Sequence, residues 1–109
     1  MHDVKENINV LMNEGQQFKN EGRHIDALKV LDECQQLIKK ELGEQAEQLP
    51  QVYNEIAIVC NVLSMAHLQK EDYKLCIELL KKAEVFTEDN ERLRAITYNN
   101  FACVFRKTK

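Results

Sequence analysis

Three glycines and one proline are all that punctuate 109 residues. The tight turns of a β-sandwich or barrel draw on those two residue types, so that class lacks its raw material here and long helices remain. The apolar pattern agrees. From about Asp3 to Asn20, Val4, Ile8, Leu11, Gly15 and Phe18 recur at three- and four-residue steps, one face of a helix. Gly22 marks a turn. A second stripe, Ile25, Leu28, Leu31, Cys34, Leu37 and Ile38, runs from His24 to the low forties, with Lys39 and Lys40 near its end and Gly43 as its stop. Pro50 suits the first turn of a third helix reaching Gln69, with Val52, Ile56, Val59, Cys60, Leu63 and His67 on one side. Glu71 and Asp72 offer an N-cap for a fourth helix carrying Tyr73, Cys76, Ile77, Leu79, Leu80, Ala83 and Phe86. The segment Thr87 to Asn90 caps a fifth, about Glu91 to Lys107, with Leu93, Ile96, Tyr98, Phe101, Ala102, Val104 and Phe105. Connections of a few residues predict antiparallel neighbours, so the expectation is an all-α chain of about five helices.

Composition excludes several functions. The net charge of −3 gives no whole-chain pull toward nucleic acid or anionic membrane. No apolar run approaches the ~20 residues of a membrane-spanning helix, and the charged start lacks a secretory apolar core. Cys34, Cys60, Cys76 and Cys103 form no closely spaced pair, so small buried thiols in a reducing, cytoplasmic compartment are expected, with no metal and no cofactor.

An internal repeat carries more information. Aligning Ala27 with Cys76 also pairs Gly15 with Ser64, Phe18 with His67, Leu11 with Cys60, Leu31 with Leu80 and Cys34 with Ala83. Tyr98, Ala102 and Phe105 repeat the opening of the unit in the fifth helix. Two helices pack closely only where small residues stand at their crossing, with a large side chain one turn away filling the adjoining space.

This pattern resembles the tetratricopeptide repeat family, whose signature reads W-x2-L-G-x2-Y…A-x3-F…P. The fullest match is Asn61 to Phe86, with Leu63-Ser64, His67, Tyr73, Cys76, Leu80 and Ala83 in the family's places. The first unit matches through Gly15, Phe18, Gly22, Ala27, Leu31 and Cys34, and the third through Ala102 and Phe105. Signature Trp and Pro are missing, and the spacing is 49 and then 38 residues in place of 34. That excess is about four turns and about one turn of helix, which keeps each stripe facing the core and predicts longer second and third helices. The resemblance implies an α-solenoid of antiparallel hairpins, similar to the long-helix repeats of the kinesin light chain. It covers about residues 8–107 of what is read as a single domain, 1–109, with units at about 8–48, 49–87 and 88–109. A chain ending one helix into its third unit is expected to be part of a longer array.

The resemblance also implies a concave groove lined by the first helix of each pair. Its register puts Asn13, Gln16, Asn20, Asn61, Met65, Asn99, Asn100 and Arg106 on that face, with Lys19 and Lys107 beside them. Carboxamides both donate and accept, so they suit a peptide backbone of any sequence. Met12 and Gln16 occupy places where chaperone-tail binders of this family carry Lys and Asn, which argues against that ligand. His2 is terminal, His24 opens a helix and His67 fills a packed-ring slot, so no catalytic base stands out. Glu33, Glu41, Glu44 and Glu78 read as solvated, and no hydrolase, zinc or phosphate-loop motif is present. The expectation is therefore not an enzyme but a scaffold module that binds a protein or peptide. Self-association through the terminal helix and a regulatory role in a larger protein are the alternatives. A cytoskeletal, ciliary or basal-body setting follows from the family likeness alone.

Overall fold

The computed structural model describes residues 3–108, and His2 lies outside them. The described residues form five helices: α1 (Val4–Asn20), α2 (His24–Leu42), α3 (Leu49–Gln69), α4 (Tyr73–Phe86) and α5 (Glu91–Lys107). No strand occurs among them. α2 and α3, at 19 and 21 residues, are the longest.

Local chemistry explains the boundaries. Asp3, Asp72 and Asn90 cap α1, α4 and α5 by accepting from the backbone N–H of Lys5, Leu75 and Leu93 at 3.0, 3.3 and 3.0 Å. Each satisfies a donor that the first turn leaves without a partner. Pro50 sits in the first turn of α3, where its missing N–H removes nothing. α2 closes at Gly43, whose φ of 93° takes the chain out of the helix while its N–H reaches the Lys39 carbonyl. α2 opens at Arg23 without a side-chain cap hydrogen bond, although Arg23 pairs with Asp26 at 2.9 Å on the surface.

The chain divides into two units, Met1–Glu55 and Ile56–Lys109, and the division falls within α3. In the first unit, α1 and α2 form a hairpin. Gly15 and Leu31 face each other, and the Cys34 thiol points at the Ile8 carbonyl 3.8 Å away, so moving back along α1 means moving forward along α2. Ile8, Ala27, Leu31, Cys34, Ile38, Leu49 and Val52 are buried. A Cβ placed on Gly15 would come within 2.8 Å of Leu31 Cδ2. Leu31 is itself fully buried and has little room to retreat.

In the second unit the Cys76 thiol donates to the Ser64 carbonyl at 3.1 Å, tying α4 to α3. Cys76, Leu80 and Val104 form the centre of a cluster that draws in Met65, Leu68, Tyr73, Ile77 and Phe101. α5 thus contributes to the same core as α3 and α4.

The two hairpins share their turn, residue for residue, at an offset of 49. The N–H of Gly22 donates to the Lys19 carbonyl and that of Arg23 to the Phe18 carbonyl, at 3.0 and 2.8 Å. Glu71 donates to Leu68 and Asp72 to His67, both at 3.0 Å. Both are Schellman closures, which need a left-handed residue just past the helix. Gly22 has φ 78° and Glu71 has φ 60°. Glycine adopts that conformation freely, whereas a side chain there crowds the following carbonyl. On the first turn the Arg23 guanidinium lies 4.5 Å from the centre of the Phe18 ring, completing the closure.

Five of the six paired repeat positions agree in burial, while Leu11 is half-buried where Cys60 is fully buried. Gly15 and Ser64, Ala27 and Cys76, Leu31 and Leu80, and Cys34 and Ala83 are all buried. Phe18 and His67 are both half-buried. In α5 the correspondence stops: Ala102 and Phe105 are exposed, and so are Ile96 and Tyr98. Ile25, placed on the inner stripe of α2 by its spacing, also lies open to solvent, because at 100° per residue it stands about 160° around the helix from the buried Ala27 of the same turn.

Two stability changes follow. Glu71→Gly relieves a left-handed side-chain conformation and is expected to raise the urea midpoint, worth about 1 kcal/mol. Gly15→Ala forces a methyl against a buried Leu31 and is expected to lower it by about 1–3 kcal/mol. Equilibrium urea unfolding followed by circular dichroism measures both.

Candidate interaction surface

The carboxamide residues do not behave as one set. Asn61, on α3, is 6% exposed and fully engaged. Its Nδ2 donates to the Ala57 carbonyl at 3.0 Å and to Thr97 Oγ1 at 2.9 Å, and its Oδ1 accepts from Asn100 Nδ2 at 2.8 Å. Thr97 in turn donates to the Leu93 carbonyl at 2.9 Å. The two ends of the Asn61 side chain therefore hold two residues one turn apart on α5. Asn61 was expected on an open groove face. It faces sideways into its neighbouring helix instead, and Asn100 is drawn in with it. A buried amide is costly unless its partners are supplied, and here they are.

The remaining positions stay outward. Asn13, Asn20, Asn99 and Arg106 are exposed, and Gln16 and Met65 are half-buried. Met65 also leans on the Cys76–Leu80–Val104 cluster, so only part of it is available. Lys19 is not free for an acidic partner: its Nζ pairs with Glu55 Oε2 at 2.8 Å, a bond between α1 and α3 inside the first unit. Arg106 leans back along its own helix, with Nη2 3.3 Å from the Cys103 sulfur.

Beside the buried Asn61–Asn100 pair, the next residues on each helix turn outward. Val62 is 45% exposed on α3, and Asn99 is exposed on α5. Ile58, Met65 and Gln69 share Val62's side of α3 by their spacing, and Ile96, Cys103 and Arg106 share Asn99's side of α5. Val62 and Asn99 are thus open apolar and amide positions on the two helices that the Asn61–Thr97–Asn100 bonds join.

Sequence reading missed three buried polar residues. Thr97 supports Asn61, Thr87 donates to the Glu84 carbonyl at 3.1 Å where α4 ends, and Gln35 is buried on α2 with no partner for its Oε1 among the described residues. A buried helical Thr returning its hydroxyl to the preceding turn gives no periodic signal, so nothing in spacing marks it.

All four cysteines are unbridged, with only Cys103 partly accessible. Burial pushes the Cys34 thiol up to about 11, and burial also raises Cys76, with Asp72 adding to the shift. Both are held as neutral packing groups, the opposite of an activated thiolate. Among the described residues no group of three or more His, Cys, Asp or Glu converges as a metal site would require. No described helix is long and apolar enough to cross a membrane. Comparisons with models of known families, with curated proteins and with solved structures found no match.

Asn61→Ala removes three hydrogen bonds at once and leaves Asn100 Nδ2 without its acceptor. Its expected cost is about 1–3 kcal/mol by urea unfolding. Asn99→Ala, one residue from the same pair but exposed, is expected to change stability by less than about 0.5 kcal/mol.

Proposed function

We propose that this chain is a protein-interaction module, built from helix hairpins similar to tetratricopeptide repeats, that holds a peptide segment of a partner protein against α3 and α5. What carries the reading is the 49-residue repetition of one hairpin: the same Schellman turn at Gly22 and Glu71, and small or thiol residues at the same crossings. Repeated hairpins of this kind offer long, open side surfaces in place of a cleft for chemistry. The Asn61–Thr97–Asn100 bonds fix α3 against α5, and a fixed surface loses less entropy on binding than a mobile one.

On this surface Val62 and Met65 supply apolar area, and Asn99 supplies a donor and an acceptor for a peptide backbone. Asn13, Gln16 and Asn20 offer the same chemistry on α1. Asn61 and Asn100 act from beneath by holding the helices in place. The reading supplies no catalytic role and calls for no cofactor. Four unbridged thiols fit a reducing, cytoplasmic setting.

Selection of 16-residue peptides displayed on phage against the purified protein tests the proposal. Enriched peptides are expected to lose about tenfold or more in affinity with Val62→Glu or Asn99→Ala, read by fluorescence anisotropy. Peptides that bind both variants as well as the unaltered protein would remove this surface from the account.

A further inference from the structure

The helices that carry Val62 and Asn99 are short of negative charge. From Ile56 to Gln69, α3 has no Asp, Glu, Lys or Arg. Glu55, the residue before that stretch, is held by Lys19. From Arg92 to Thr108, α5 and its C-cap carry four cations and no acid. Every acid of the second unit therefore stands on α4, in the turns beside it, or at Glu91.

Direction around α5 sorts the cations. The bonds from Asn61 to Thr97 and Asn100 mark the side of α5 that meets α3. At 100° per residue, Lys107, Ile96, Cys103 and Arg92 follow Asn100 around the helix in steps of about 20°. Lys107, Ile96 and Arg92 are exposed, and Cys103 is half-buried. The side that meets α4 lies the other way, through Val104 and Phe101. Arg94 stands on that farther side, turned to Tyr98 and offset by Glu84 and Glu88. Arg106 leans on Cys103 from the outer edge of the row. Glu91 lies about 100° or more from every member of it.

A following helix does not close such positions. Counting back 38 residues, the step from Ala102 to Ser64, sets Ile96, Cys103 and Lys107 on Ile58, Met65 and Gln69 of α3. Gln69 is exposed and the other two are half-buried, although α5 is bonded alongside α3.

We propose that the peptide held against α3 and α5 is acidic. Its carboxylates meet Lys107 and Arg92 at the two ends of the row, and its apolar side chains cover Val62, Met65 and Ile96. The proposal rests on the interaction surface described under the preceding heading and adds the charge of its occupant. Arg92 and Lys107 are fifteen residues apart, about 22 Å along the helix, so an extended peptide spans them with acids about seven residues apart. Complementary charge of this kind selects the partner and speeds its encounter more than it raises affinity. A single-stranded nucleic acid would need rings to stack on, and Tyr98, Phe101 and Phe105 all lie about 100° or more around α5 from the row.

Three synthetic 12-residue peptides test the proposal. They share one Leu and Ser sequence and differ only at two places seven residues apart, which hold Glu, Gln or Lys. Each is titrated into the isotopically labelled 109-residue protein and followed by amide NMR. The Glu peptide is expected to shift the resonances of Val62, Met65 and Ile96 and to bind about tenfold more tightly than the Lys peptide, an advantage that high salt removes. Changing Arg92→Glu and Lys107→Glu together is expected to reverse that order while leaving the circular dichroism spectrum unchanged. Lys74→Glu with Lys81→Glu, an equal change of charge at exposed positions of α4, is expected to preserve it. Equal binding of all three peptides at Val62 and Ile96 overturns the acidic preference and leaves the interaction surface standing. Absence of any response at Val62 and Ile96 overturns both. An order that survives the Arg92 and Lys107 changes, or that the α4 changes also reverse, overturns the proposal. So do equal shifts of the same resonances by a poly-uridine oligomer or by phosphatidylserine vesicles.

Discussion

At Gly15 the first hairpin allows no side chain. Leu31 occupies the space that a Cβ would need, and it is buried on every side, so α1 and α2 meet at the shortest separation their sequences permit. Everything else in that unit takes its register from this crossing. The Cys34 thiol comes under the Ile8 carbonyl, and Ala27 disappears from solvent at the neighbouring turn. Dispersion forces reward such closeness only when the surfaces interlock, which explains small residues on one helix facing a branched one on the other. In the second unit a serine stands at the equivalent place. The backbone there accepts from Cys76, and the Ser64 hydroxyl turns back to the Asn61 carbonyl at 2.8 Å.

A second constraint works through polar groups. Asn61 is buried, with every polar atom of its side chain bonded to α3 or α5. An amide adds direction: it joins α5 only when Thr97 and Asn100 face it together, so a one-residue slip of α5 would leave several buried groups without partners. Register between α3 and α5 is thus set by hydrogen bonds, whereas register between α1 and α2 is set by shape.

Helix ends and the repeat were readable in advance because each has a local cause. Asp3, Asp72, Asn90 and Gly43 act within one turn of where they stand, and the pairing of Ala27 with Cys76 needs only comparison of the chain with itself. The sequence offers Glu71 with Asp72 as a cap of α4, but Asp72 alone caps and Glu71 takes the left-handed turn position, which its own residue type argues against. What escaped was direction around a helix. Spacing says that Asn61 and Val62 are adjacent. It cannot say which of them a later helix will cover, since that depends on where α5 packs. The same blindness affected Lys19, whose partner Glu55 lies 36 residues away, and the stripe of α5, whose apolar spacing looked like core although Tyr98 and Phe105 face solvent.

The central claim is that the first 86 residues hold two copies of one hairpin, each crossing at a small residue and each turning through a left-handed one. Nuclear Overhauser effects in the labelled protein measure this directly. The account predicts strong effects from the Gly15 α-protons to the Leu31 methyls, and from the Cys76 β-protons to the backbone of Ser64. Their absence, with Gly15 showing contacts only to its own helix, would contradict it.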